Sequence, residues 1–346
     1  MEKGKRLASL IICLVLTGLM FSSSMAFAKD PLPPAKPYNI QILTFRVGSS
    51  TYVMGVALAD LINKNSTWLR ATAIETPGVE INAKILALEP EKRKNTLVWT
   101  SQTTIWMLED LAIQGVTFPY RTLKPVSLWG LSGNSFVTLD PKLRTVRDLN
   151  GKKVALAPKG IWGMSTLHAI MFDKLGIKAN FTYMGLDAAV SALQDGLVDA
   201  AVAGVIMEKP GKFAPTPALQ GLIATKSPYF VSYDEGEATA VFKKWGAPMV
   251  TSLIPAKQMG PTQVEPWVVA GLGLLWGADV EMPSEVVYEI CRVIYENAGK
   301  FADYHITGAA ITKETMALVE TTDRSKVHPG ALKFYDEKRL KIGFLK

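Results

Sequence analysis

The chain has 346 residues, 48% hydrophobic and 20% charged, with a formal charge of +7 and two cysteines, Cys13 and Cys291. That length exceeds what one core usually holds and predicts two domains. The basic residues are scattered, and the densest group, Glu91-Lys92-Arg93-Lys94, has no aromatic residues interleaved with it, which excludes a nucleic-acid surface and reads as a solvated turn.

At the start, Lys3, Lys5 and Arg6 precede an apolar run over 7–21, and Ala26-Phe27-Ala28 offers a small-residue cleavage site. This predicts a secretory signal peptide over 1–28 and a periplasmic mature chain, since the run is shorter than the roughly 20 apolar residues that span a bilayer. Cys13 lacks a small-residue cleavage pattern before it, which argues against a lipid anchor. Cleavage leaves Cys291 alone, so no internal disulfide is available and stability rests on the cores. Four prolines in 29–37 then form an extended leader.

Residues 38–45 alternate in strand fashion, 46–52 form a small polar loop, and 53–63 carry apolar residues at helical spacing. The arrangement repeats: a strand at 72–75, the turn Thr76-Pro77-Gly78 and a helix through Asn82 to 88, then a strand from 97 that runs into Thr100-Ser101-Gln102. Each strand ends in small hydroxyl or amide side chains, which donate or accept without carrying charge. The apolar segments 126–139 and 268–276, where the composition changes on both sides, are placed as two crossings between domains. Between them, 149–204 reads as strand, glycine-rich loop, helix, strand, helix and strand, the pattern of a parallel sheet whose ligands sit at the strand carboxyl ends. In its loop, Pro158 to Gly163 turn the chain and Ser165 stands at a helix N-cap position, so that unpaired N–H groups are presented at a positive helix end. A strongly amphipathic helix over 283–297, opened by Pro283, closes the pattern.

Catalysis finds no constellation. His168, His305 and His328 fall in no metal spacing, Gly163-Met164-Ser165 lacks the second glycine of a nucleophile elbow, and Gly271, Gly273 and Gly277 miss a dinucleotide fingerprint by one residue. His328 before Pro329 reads as a satisfied structural histidine near the surface. No catalytic residue, metal or cofactor is assigned.

The order of these elements, together with Asp148-Leu149-Asn150-Gly151-Lys152-Lys153-Val154, Asp195-Gly196-Leu197-Val198-Asp199-Ala200 and His328-Pro329-Gly330-Ala331, resembles the TAXI family, the extracytoplasmic solute receptors of TRAP transporters. The resemblance runs from about Ile40 to Tyr335. It implies an α/β, type II periplasmic-binding-protein fold of two α/β lobes joined by two hinge crossings, with lobe 1 over 38–139 plus 263–346 and lobe 2 over 140–262. It also implies a small organic acid ligand, a TRAP membrane permease as partner, and no enzyme activity; a monomer is expected. By position, the family's binding loops fall on Gly48, Ser49, Ser50, Thr51 and Tyr52, on Thr76, Gly78 and Asn82, on Thr100, Ser101 and Gln102, and in the second lobe on Gly160 to Ser165. Many members carry a glycine-serine-glycine-threonine run in that last loop, where this chain has Ile161-Trp162-Gly163-Met164-Ser165, so the expected ligand is a carboxylate with a sizeable apolar part.

Such an anion needs a cation or several N–H donors. Arg46 at the mouth of the first loop offers a bidentate contact, Lys159 a point charge, and Gly163, Met164 and Ser165 a helix start that needs neither. Simpler readings stand beside these: Ser49, Ser50 and Thr51 as an N-cap cluster, Tyr52 and Trp99 as core, Arg46 as a surface arginine. Trp162, in a glycine-bounded loop, is the better candidate for an aromatic wall. A periplasmic module feeding a membrane signalling protein, and an exported enzyme on the same lobes, are the rival functions.

Overall fold

A computed structural model describes residues 37–345 apart from 111, 112, 114 and 160. The signal segment 1–28, the leader to 36 and Gly160 lie outside the described residues.

Hydrophobic periodicity explains the first unit. The strand β1 (Tyr38–Leu43) buries Ile40 and Ile42, and α1 (Ser50–Asn65) buries Met54, Ala57, Leu58, Leu61 and Ile62, one apolar stripe at helical spacing. β2 (Leu69–Ile74), α2 (Val79–Leu88), β3 (Thr96–Thr100) and α3 (Gln102–Glu109) complete this half. The second half contains β5 (Lys153–Leu156), α4 (Thr166–Lys174), β6 (Asn180–Tyr183), α5 (Leu186–Gln194), β7 (Ala200–Lys209), β8 (Lys212–Pro215), α6 (Pro217–Thr225), β9 (Tyr229–Val231), α7 (Glu235–Trp245) and β10 (Val250–Ile254). α7 has the charge order its dipole favours: Asp234 accepts from the Glu237 N–H, Glu235 and Glu237 sit in the first turn, Lys243 and Lys244 in the last, and Gly246 ends it at φ 74°.

Two long strands join the halves. β4 (Leu123–Thr138) and β11 (Trp267–Asp279) pair antiparallel along most of their length, in a sheet ordered β2-β1-β3-β11-β4-β7-β5-β6. β1 pairs in parallel with β2 and β3, and β5 in parallel with β6 and β7. The parallel sheet expected from alternating strands and helices therefore holds inside each half, and the crossing strands that stitch the halves run antiparallel to their neighbours. Trp129 and Trp276 stack at 5.9 Å where these strands meet, anchoring the join with buried aromatic surface. α8 (Ser284–Glu296) and α9 (Pro329–Glu337) pack on the first half, α8 through Val286, Val287, Ile290, Val293 and Ile294.

Two sequence expectations need correction. Arg93 lies in the expected turn, between exposed Glu91 and Lys94, but its side chain is packed and not solvated: its guanidinium donates to the carbonyls of Leu86 and Ala87, pairs with Glu281 at 3.2 Å and lies over the Tyr120 ring. A single arginine can seal a helix end this way, which a charge run does not reveal. His328 is satisfied, as expected, but fully buried and not near the surface; Nδ1 accepts from the Gly330 N–H and Nε2 lies 3.2 Å from the Asp279 carbonyl.

Candidate functional site

Between the halves lies a cavity of about 260 Å³, at the lower edge of small-molecule pockets. Its first wall is built where β1, β2 and β3 end. Ser49 caps α1 by accepting from the Tyr52 N–H at 3.1 Å and itself donates to the Arg46 carbonyl. Gly78, at φ 146°, opens α2 without a side-chain cap, and Ser101 caps α3 by accepting from the Thr104 N–H. Ser49, Ser50, Thr51, Gly78, Thr100 and Ser101 all line the cavity. The first N–H groups of a helix lack intrahelical acceptors, so three positive helix ends face one space.

The opposite wall is apolar. Ile161, Trp162, Gly163 and Met164 line it with Leu186, and Trp162 is nearly buried against Trp245 at 6.2 Å. Phe45 and Trp99, in contact at 5.3 Å, continue the apolar lining on the first half. The floor comes from the crossing strands: Ser132 and Asn134 of β4, Leu272 and Leu274 of β11. Glycine makes this close approach possible. A Cβ on Gly163 would stand 2.5 Å from Leu272 Cδ1, and one on Gly204 2.8 Å from Asn134 Oδ1. None of the described residues that line the cavity is charged.

The remaining sequence candidates occupy other places. Arg46 is exposed, with its guanidinium 5.2 Å over the Phe45 ring, and the Lys159 ammonium lies 5.1 Å over Tyr183. Tyr52 is half-buried outside the lining. Thr76 donates to the Thr44 carbonyl at 2.8 Å, and the Asn82 amide donates to Thr44 at 2.9 Å and to Trp99 at 3.2 Å, so these two side chains tie the ends of β1 and β3 behind the wall. Gln102 donates to the Val319 carbonyl at 2.9 Å. Ser165 occupies the N-cap position of α4, yet its hydroxyl donates to the Ile161 carbonyl instead of capping. Sequence reasoning missed Asn134, Leu272 and Leu274. A signal was present: Asn134 is an isolated amide inside an apolar segment, beside Gly133.

The buried histidines serve the core. Burial pulls His168 down to about 3, with Nδ1 2.6 Å from the Tyr233 hydroxyl, and pulls His328 down to about 4. Among the described residues no group of three or more His, Cys, Asp or Glu side chains is placed to hold a metal ion, and no helix is long and apolar enough to cross a membrane.

Among solved structures the chain is similar to XAC2383 from Xanthomonas citri bound to ATP, at 12% identity with a TM-score of 0.50, over 86% of this chain and 98% of that one. A TctC solute binding protein from Polaromonas follows at 14% identity and 0.47, over 79% and 86%, and the periplasmic aliphatic sulphonate binding protein SsuA from Escherichia coli at 14% and 0.45, over 79% and 78%. No curated protein matches the sequence. At these identities the likeness concerns fold alone. A family match over residues 42–338, from the first strand to just past the last helix, decides the affiliation: the chain belongs to the NMT1-like family.

Proposed function

We propose that the chain is a periplasmic solute receptor of the TAXI type, which captures an organic carboxylate with a sizeable apolar part and hands it to a TRAP permease. In this reading the lobes are 38–139 plus 263–346 and 140–262, with β4 and β11 as the hinge crossings. The carboxylate is held by the helix starts and hydroxyls at Ser49, Ser50, Thr51, Gly78, Thr100 and Ser101, and the apolar part lies against Trp162, Met164 and Trp99. Thr76, Asn82 and Gln102 hold the strand ends that aim those donors, and Ser165 holds the Trp162 loop. Arg46 and Lys159 at the rim draw the anion in by long-range attraction.

The observation that carries this reading is the cavity itself, uncharged throughout, with hydroxyls and helix starts beside Phe45 and Trp99 on one wall and apolar side chains around Trp162 on the other. Aligned N–H groups in a water-poor site stabilise an anion without a counter-charge, and aromatic walls favour an apolar body. A ligand touching both halves binds the closed state better than the open one, which drives closure.

The test is native mass spectrometry of protein purified without refolding, followed by thermal-shift assays with octanoate, phenylacetate and glutamate. Octanoate or phenylacetate is expected to raise the melting temperature and glutamate to leave it unchanged. Stabilisation by glutamate-like polar acids alone would overturn the reading.

A further inference from the structure

The hinge strand β11 carries a gap. Along one edge, residues 267–271 pair with β10 and 275–278 pair with β3, so Leu272, Gly273 and Leu274 lie between the two ladders without a strand partner there. Glu320 fills that gap. Its carboxyl group lies flat against Gly273, where an added Cβ would fall 2.4 Å from Cδ and 2.6 Å from Oε2, and it accepts the Gly273 N–H. The backbone of Glu320 is in the left-handed region, φ 57°, and its own N–H donates to the Gly343 carbonyl of the C-terminal tail at 2.8 Å. A non-glycine residue in this region is strained and persists only where its surroundings hold it.

The carboxyl group is nearly sealed from water, with the residue 3% exposed, and Oε1 has no hydrogen-bond partner. Beside it is a small cavity of about 70 Å³ whose walls come from both halves: Gln102, Trp106 and Glu109 of α3 on one side, Gly246 and Pro248 after α7 on the other. The halves touch at the same place, Trp106 meeting Trp245 edge-on at 5.3 Å. On its other face the unpaired stretch of β11 contributes Leu272 and Leu274 to the ligand cavity.

We infer that Glu320 is a proton-operated latch on the hinge, which favours the present arrangement, in which Trp106 meets Trp245, when its carboxyl group is neutral and lets the halves part when it ionises. The physical reason is desolvation: closure seals the carboxyl in a space that offers the charged form one N–H and leaves one oxygen bare, whereas parting of Trp106 from Trp245 admits water. Burial pushes the Glu320 carboxyl up to about 7, with the Gly273 N–H opposing, against 4.5 for an ordinary glutamate. The titratable groups around the small cavity are Glu109 on α3 and Lys326 on the turn after Glu320; β11 and the segment after α7 contribute none. Because the proton is held more tightly in the closed state, closure is favoured as pH falls through about 7, and the effect is complete near 4.5. The latch regulates the receptor proposed above and rests on that reading for its purpose, although its geometry involves no ligand.

The experiment measures the distance between spin labels on Val47→Cys and Ala188→Cys, exposed positions on opposite halves, in the full ligand-free chain carrying Cys13→Ser; Cys291 is buried and stays unlabelled. Between pH 8.5 and pH 5.5 the ratio of short to long distances is expected to rise on the order of tenfold, and Glu320→Gln is expected to hold the short distance at both pH values. Glu109→Gln, as control, keeps the response. Should Glu320→Gln fail to fold, Gly273→Ala, which displaces the carboxyl, is expected to flatten the response instead. A wild-type distance that ignores pH, or a Glu320→Gln or Gly273→Ala chain that responds as the wild type does, overturns the latch. If no carboxylate binds while the distance still titrates, the ligand reading fails and the latch stands.

Discussion

The two walls of the cavity are built from the same kind of unit, a strand running into a helix, yet they finish it differently. On the first half the strands run out into Ser49-Ser50-Thr51, Gly78 and Thr100-Ser101, small residues that line the cavity at the helix starts, two of which Ser49 and Ser101 cap. On the second half β5 runs into Ile161-Trp162-Gly163-Met164 before α4, and the serine at its N-cap turns its hydroxyl back on its own loop. The second jaw presents hydrocarbon alone, whereas the first sets hydroxyls and helix starts beside Phe45 and Trp99. An amphipathic solute would then be held in one orientation, with its anion toward the first half.

The sharpest way to break this comparison is to fill the space the walls share. A Cβ on Gly204 would meet Asn134 Oδ1 at 2.8 Å and Met164 Cε at 3.1 Å, so Gly204→Val is expected to abolish octanoate binding in calorimetric titration while the circular dichroism spectrum stays native. Next comes the apolar jaw by itself. Trp162→Ala is expected to weaken octanoate on the order of a hundredfold, the size of effect seen when a buried aromatic anchor is truncated. Octanoate bound by Trp162→Ala as tightly as by the wild type would mean the second wall does not read the apolar part. The core histidines give a smaller and more general effect. His168 and His328 are neutral in the fold down to about 3 and 4, but take up protons near 6.5 when unfolded. The unfolded state therefore gains protons as pH falls below 6.5, at a cost of about 1.4 kcal/mol per pH unit for each histidine. Glu320, with its carboxyl raised to about 7, works in the opposite sense over 7 to 4.5 and cancels one of the two. Scanning calorimetry is expected to show the melting temperature dropping by a few degrees from pH 6.5 to 5.0, and His168→Phe is expected to flatten that slope.

Much of the fold was legible because its units are local. Periodicity over 38–63 and 149–204, and the glycines that end helices, correspond to β1, α1 and the β5-to-β7 run. What the pattern could not carry was pairing at long range: β10 and β3 both join β11, and only their shared use of one edge leaves the gap at Gly273. The site was legible to the same degree. Small polar residues at strand ends are of one chemical kind in sequence, but Ser49 and Ser101 face the cavity whereas Thr76 and Asn82 turn to the carbonyls behind it. The difference lies in the direction of each side chain, set by where it stands in the turn or the helix that follows the strand, Ser49 and Ser101 as N-caps, Thr76 in a turn and Asn82 inside α2. Asn134 was obscured because an apolar run reads as core, and Glu320 because a left-handed backbone at a glutamate has no sequence signature.

The smallest expected effect concerns the rim, where Arg46 and Lys159 sit outside the lining, stacked on Phe45 and Tyr183. Both are exposed, so their attraction for an anion is screened within about 8 Å at physiological ionic strength. Acting at a distance, they change how often the anion arrives and leave its residence in the cavity alone. Arg46→Ala with Lys159→Ala is therefore expected to slow octanoate association about twofold to threefold in 10 mM salt and hardly at all in 0.5 M salt, with the dissociation rate unchanged in stopped-flow fluorescence. A faster dissociation rate in the double variant would instead place a guanidinium or ammonium on the bound carboxylate, and the uncharged first wall would no longer account for anion binding on its own.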